Sequence, residues 1–182
     1  MPVRRDPDRS GQAGALTVLT PIARGAEPAL RAYLDGLRAG PSPLARLART
    51  HFGRWVIVPD LAAEDERAPD RLAGPYLLFT ASFDGLLDSY LDELCEELAT
   101  EAHEIWGRCA GAPQPPAGAP LKAYLRAHHH TTGFFVAAYP QATVADVRAA
   151  LAQREDVIAF ARDAQGMDPA QLRAAFRERL GG

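Results

Sequence analysis

Apolar residues along this chain recur with two different periods, and the changes of period mark out the elements. Residues 1–14 are polar, rich in Pro, Gly, Asp and Arg, and follow neither period; a disordered leader is expected there. Leu16-Thr17-Val18-Leu19-Thr20-Pro21-Ile22 is a first strand. Pro28 suits the opening turn of a helix on which Leu30, Leu34 and Leu37 form a stripe, and Gly40-Pro41 ends it. The stretch Leu44 to Arg49 has room for one short extra turn. His51 to Val58 is a second strand, closed by Pro59-Asp60. The charged segment Glu64 to Asp70 reads as a solvated hairpin tip, and Tyr76 to Phe83 as a third strand. Asp84-Gly85 turns the chain into the longest expected helix, about 86 to 109. Leu87, Leu91, Leu94, Leu98, Ile105 and Trp106 line its apolar side, and Asp92, Glu93, Glu96, Glu97 and Glu101 face water.

Gly111 to Pro120 holds four prolines and two glycines in ten residues, a composition that excludes helix and sheet and predicts an extended connector. A short helical piece, Leu121 to Arg126, leads into His128-His129-His130 and a fourth strand, Thr132 to Tyr139. Two helices follow. Thr143 opens one, with Asp146 three residues on as a capping-box partner and Val144, Val147, Leu151 and Ile158 as its stripe. Asp168-Pro169 opens the other, with Leu172 and Phe176 inward. The order strand, helix, strand, strand, helix, strand is the split βαββαβ, or ferredoxin-like, arrangement. The expected fold is therefore α+β: one domain over residues 15–182, with a helical extension at about 143–180.

Alternate side chains of a strand point to opposite faces, and here both sets are greasy. In the second strand His51, Gly53, Trp55 and Ile57 oppose Phe52, Arg54, Val56 and Val58. In the third, Tyr76, Leu78, Thr80 and Ser82 oppose Leu77, Phe79, Ala81 and Phe83. A sheet covered by helices on one face should be polar on the other. Two apolar faces imply a second cover, because a soluble monomer tolerates only a few hundred Å² of contiguous apolar surface and each buried aliphatic or aromatic side chain contributes about 1.5–3 kcal/mol. Either a second copy of the chain or the two C-terminal helices would serve.

In element order and pattern, residues 15–139 resemble the dimeric α+β barrel superfamily, in which two ferredoxin-like sheets face each other. That resemblance implies a homodimer enclosing a small-molecule site, and activities such as those of cofactor-free monooxygenases, haem enzymes of the chlorite dismutase and dye-decolorising peroxidase kinds, and small isomerases. Haem is thus a candidate cofactor. Leu16 to Ile22, Thr50-His51-Phe52-Gly53-Arg54-Trp55 and Leu78 to Gly85 are also similar to a group of uncharacterised bacterial proteins of that type, which brings no activity with it.

Charge narrows the partners. The net charge of −3 over 182 residues does not suit nucleic acid, whose phosphates need a basic face. No apolar run approaches the ~20 residues that span a bilayer, and no apolar stretch follows Met1-Pro2-Val3-Arg4-Arg5-Asp6, so neither a membrane anchor nor a secretory signal is expected. Cys95 and Cys109, 14 residues apart on one expected helix, stand ~21 Å from each other along its axis, too far to bridge. They read as reduced thiols of a cytoplasmic protein.

The candidate catalytic residues are His51, as a proton carrier or haem ligand; Arg54, as a cation among apolar neighbours that needs an acceptor, either a ligand carboxylate or an acidic side chain such as Asp84; and Asp84, as a holder of polar partners or the N-cap of the following helix. His51 and Arg54 face opposite ways on a regular strand, and a bulge at Gly53 would change that. Thr20, Ser82 and Tyr139 are candidate ligand-binding residues. Adjacent members of His128-His129-His130 diverge in a regular element, and His128 with His130 on a strand would give two ligands at most, short of a stable zinc site. No metal site is expected there; a solvated lead-in to the fourth strand is, with one of the three as a haem ligand the alternative. Glu101, His103 and Glu104 read as a solvated helix surface. There is no phosphate-cradling Gly-rich motif and no Gly-x-Ser-x-Gly. The expectation is a small-molecule-binding protein, an oxidoreductase of monooxygenase or haem-peroxidase type being one form of it. The competing expectation is a non-catalytic module for self-association or protein docking.

Overall fold

The computed structural model describes residues 6–59 and 74–180; the expected hairpin tip at Glu64–Asp70 lies outside them. The chain divides into two compact units, Met1–Val144 and Ala145–Gly182. The first is α+β. Its antiparallel sheet holds β1 (Arg9–Ser10), β2 (Ala13–Pro21), β3 (Thr50–Val58) and β4 (Tyr76–Asp84) in the order β1-β2-β4-β3. Its helices are α1 (Glu27–Gly36), α2 (Leu87–Glu97), α3 (Ala99–Ile105) and α4 (Gly118–Ala127), with 3-10 turns at Leu37–Ala39, Pro43–Arg46 and Trp106–Arg108. No helix among the described residues is long and apolar enough to cross a membrane.

The two-residue period of the strands decides which face meets the helices. Leu16 and Val18 of β2 and Leu77, Phe79, Ala81 and Phe83 of β4 are buried, as are Tyr90, Leu91, Leu94, Leu98, Ile105 and Trp106 opposite them. Large rings fill the layer between. Trp55 stacks on Phe79 at 5.3 Å, Trp106 meets Phe79 edge-on at 5.5 Å, and Phe83 lies flat on Tyr90 at 4.0 Å. Leu121 and Leu125 of α4 close the core. Cys95 and Cys109 are free and buried, and burial pushes both thiols up to about 11.

Several expectations need correction. Residues 132–139 form no strand, and Phe134, Val136 and Tyr139 stand exposed there. The reason is competition for the free edge of β2. β1 pairs with Ala13 and Gly14, and the Asp8 carbonyl takes the Ala15 amide. Further along, residues 128–130 make one antiparallel bridge, Val18 to His129, in which Leu19 N–H donates to His128 O and His130 N–H to Thr17 O. Too little edge remains for a full fourth strand. The same pairings show that the expected disordered leader is ordered strand from Arg9 onward.

The expected helix over 86–109 is broken at Leu98 (φ −107°, ψ 28°). Arg46 takes up the break: its Nη2 donates to Glu97 O at 2.8 Å and to Glu101 Oε2 at 2.6 Å. Glu101, expected in water, is therefore buried. Burial alone would raise its carboxyl, but Arg46 holds it below the ordinary value. Glu104 pairs with Arg108 at 2.7 Å.

The second unit contains α6 (Pro169–Leu180) and all but the first residue of α5 (Val144–Asp163). Asp168 Oδ1 accepts the Ala170 and Gln171 amides while Gln171 Oε1 accepts the Asp168 amide, a reciprocal cap on α6. Phe160 meets Phe176 edge-on at 6.0 Å, and Arg179 bonds Asp163 at 2.8 Å. Of the expected inward stripes Val144 is buried, whereas Val147, Leu151, Ile158, Leu172 and Phe176 are exposed.

Candidate functional site

The sheet face turned away from the helices carries the polar chemistry. Thr80, Ser82 and Asp84 alternate along β4 with the buried Phe79, Ala81 and Phe83, so the three share that face. Phe52, Arg54 and Val56 share it on β3, and all three are exposed. Between the strands and residues 132–135 runs a shallow groove of about 510 Å³, lined by Thr17, Phe52, Arg54, Thr80, Ser82 and Phe135 among others. Arg54 Nε donates to Thr80 Oγ1 at 3.1 Å, and no carboxylate among the described residues pairs with the guanidinium. Ser82 lines the groove, as expected of a ligand-binding residue.

His51 and Asp84 meet at the end of this face. The pairing of β3 with β4 runs Thr50 to Phe83 and then Phe52 to Ser82, so His51 is the extra residue of a β-bulge. Bulging aims its Nε2 at Asp84 Oδ1, 2.7 Å away. The carboxylate accepts, so Nε2 carries the hydrogen, and Nδ1 has no partner among the described residues. The bulge thus sits two positions before Gly53, where the sequence suggested one. Gly53 stays in the ladder and makes room for Leu44, whose Cδ1 would lie 2.7 Å from an added Cβ. Asp84 Oδ2 accepts the Val144 amide at 2.7 Å. Both its oxygens are taken, and α2 begins at Leu87 with Leu86 in the N-cap position and no side-chain cap. Asp84 is therefore no N-cap of the helix that follows it.

A second histidine–carboxylate pair lies at the β2 edge. His129 Nδ1 donates to Thr17 O at 3.1 Å, and its Nε2 lies 3.1 Å from Asp8 Oδ2. Asp8 Oδ1 accepts the Thr132 amide at 2.7 Å, and Thr132 Oγ1 donates to Pro7 O. Burial works to raise the Asp8 carboxyl; Thr132 and His129 together outweigh it and hold the group below its ordinary value. Asp8 was missed from sequence, and Thr132 and Phe135 were read only as residues of a fourth strand. A lone Asp in a polar leader carries no signal, whereas Phe52 and Thr80 were legible as members of the alternate strand sets.

Two expected ligand-binding residues lie elsewhere. Thr20 belongs to the core face: it is fully buried, and its Oγ1 contacts Leu77 O and Cys109 Sγ. Tyr139 is 81% exposed in irregular chain and does not line the groove. The three consecutive histidines have three fates. His128 Nδ1 donates to Tyr124 O and its ring packs on Tyr124, His129 bridges as described, and His130 is exposed. Among the described residues no three His, Cys, Asp or Glu side chains gather as a metal site requires.

Haem ligation needs a ring nitrogen free to reach iron. His51 has given Nε2 to Asp84, leaving only the nitrogen beside its own main chain. His129 has both nitrogens engaged, and the His128 ring is packed against Tyr124. These donors do not fit a haem ligand as placed. Comparison with protein-family models, with curated proteins and with solved structures finds no match for this chain.

Proposed function

We propose that the open face of the sheet binds a small organic molecule, with a second copy of this chain as its roof. The observation that carries this reading is the groove itself, where a cation, several hydroxyls and exposed aromatic rings share one face beside a histidine–carboxylate pair. The succession β2-β4-β3, with residues 128–130 bridging the free edge of β2, supports a ferredoxin-like sheet whose last strand is cut short. The exposed Phe52 and Val56 support burial of that sheet against a partner copy, as in a dimeric α+β barrel.

The pair His51–Asp84 supplies the chemistry such a groove would use. With Nε2–H held by the carboxylate, Nδ1 is the proton acceptor. A cofactor-free oxidation of monooxygenase type suits this donor set. His51 Nδ1 takes a proton from a C–H of the organic substrate, and the carbanion is oxidised by dioxygen, one oxygen atom entering the product as C=O and the other leaving as water. Haem ligation by His51 as placed does not suit it. Self-association without catalysis is the second reading, favoured by the exposed apolar residues alone.

Light scattering and thermal melting with 2-naphthoate and 2-naphthamide as probes test the proposal. A dimer at micromolar concentration, stabilised by at least one probe, is expected, with Phe52→Asp both monomeric and unresponsive. A wild-type dimer that neither probe stabilises would leave the self-association reading. A monomer that neither stabilises would overturn both.

A further inference from the structure

We infer that the molecule taken up by the open face is a flat, apolar monocarboxylate, its carboxylate on Arg54 and its ring against Phe52 and Phe135. This rests on the binding role proposed above for that face. Arg31, Arg38, Arg46, Arg49, Arg108 and Arg126 all have carboxylate partners within the first unit. Arg54, like Arg9 and Arg24, has none among the described residues, and of these three it alone lines the groove; the acidic side chain on its own face is committed. Asp84 gives one oxygen to His51 and the other to the Val144 amide. The charge on an arginine is permanent, so a bound carboxylate would meet a cation with no competing carboxylate among the described residues.

Geometry narrows the choice of anion. Thr80 Oγ1 accepts from Nε, which orients the guanidinium; its Nη1–Nη2 edge has no partner among the described residues and can make two parallel hydrogen bonds to one carboxylate. The remaining polar side chains of the lining are neutral hydroxyls, from Thr17, Thr80, Ser82 and Thr132, the last of which donates to Pro7 O. One cation among neutral donors suits a single negative charge, whereas a phosphate monoester would bring nearly two. Phe52 is 79% exposed and Phe135 partly so, both at the groove. Two rings flanking a shallow slot favour a planar apolar body, which gains from aromatic contact beyond the area it buries.

Isothermal titration of the wild-type chain with 2-naphthoate and its neutral isostere 2-naphthamide tests the inference. The acid is expected to bind at least about tenfold tighter than the amide. Arg54→Gln should erase that preference, weakening the acid far more than the amide, and Arg54→Lys should keep only part of it, since a point charge cannot make the paired bonds. Arg54 is exposed, so circular dichroism spectra of both variants should match wild type. Equal affinity for acid and amide, or a preference that survives Arg54→Gln, would overturn the carboxylate assignment while leaving the binding face intact. Failure of both probes to bind would overturn the two together.

Discussion

Close contacts at single residues decide what this sheet tolerates. Gly14 sits opposite Phe83 in the β2–β4 ladder, and a Cβ there would lie 2.8 Å from Phe83 Cε2 and Cζ. That ring is 1% exposed and stacked on Tyr90, so it has nowhere to go. Gly14→Ala is expected to cost about 1–3 kcal/mol, the range for overpacking a filled core, seen as a lowered denaturation midpoint at unchanged slope. Gly53→Ala is the control. Its Cβ would meet only the terminal methyl Leu44 Cδ1 at 2.7 Å, which a rotamer change relieves, so the loss should be smaller. Measured losses in the reverse order would contradict this account of the packing. Neither contact was readable beforehand, because a glycine in a strand says that something comes close without saying what.

Elements are tied at the free edge of β2 by one carboxylate. Asp8 joins the N-terminal segment to residues 129–132 through the Thr132 amide and His129. Its carboxyl lies below the ordinary value of 3.8 in the folded chain, so the fold prefers the ionised form. The stabilisation is complete above that ordinary value and disappears as pH falls through the lower, folded one. Asp8→Asn should therefore cost about 1 kcal/mol near neutral pH, and the gap between variant and wild type should close below about pH 4. A gap that persisted unchanged at pH 2 would show that the charge is not what matters. The strands from Leu16, His51 and Tyr76 were legible from their two-residue period, as was α1 from its leucine spacing and Pro28. The failed fourth strand shows where such reading stops. Thr132 to Tyr139 has the pattern of a strand, but a pattern cannot reveal that another segment already holds the edge it would need.

For the molecule as a whole, every buried residue of the hydrophobic core falls between Leu16 and Leu125. The second unit leaves Val147, Leu151, Ile158, Leu172 and Phe176 in solvent. A chain ending at residue 144 should consequently unfold cooperatively, with a melting temperature within a few degrees of the full chain, about 1 kcal/mol or less on the usual scale. Loss of the cooperative transition on truncation would mean that α5 and α6 contribute to the core.

Composition and periodicity were enough to specify an α+β chain with an antiparallel sheet, the two alternate sets on each strand though not which of them is buried, and Arg54, Ser82, His51 and Asp84 as side chains worth attention, since alternation and spacing are local properties of the chain. Contacts between distant segments were beyond that reach. The bulge that swings His51 onto Asp84, the burial of Glu101 by Arg46, the removal of Thr20 into the core and the sharing of the β2 edge each join residues far apart along the chain. Such pairings depend on which of several suitable partners arrives first at a limited surface, and only folding in three dimensions settles that competition.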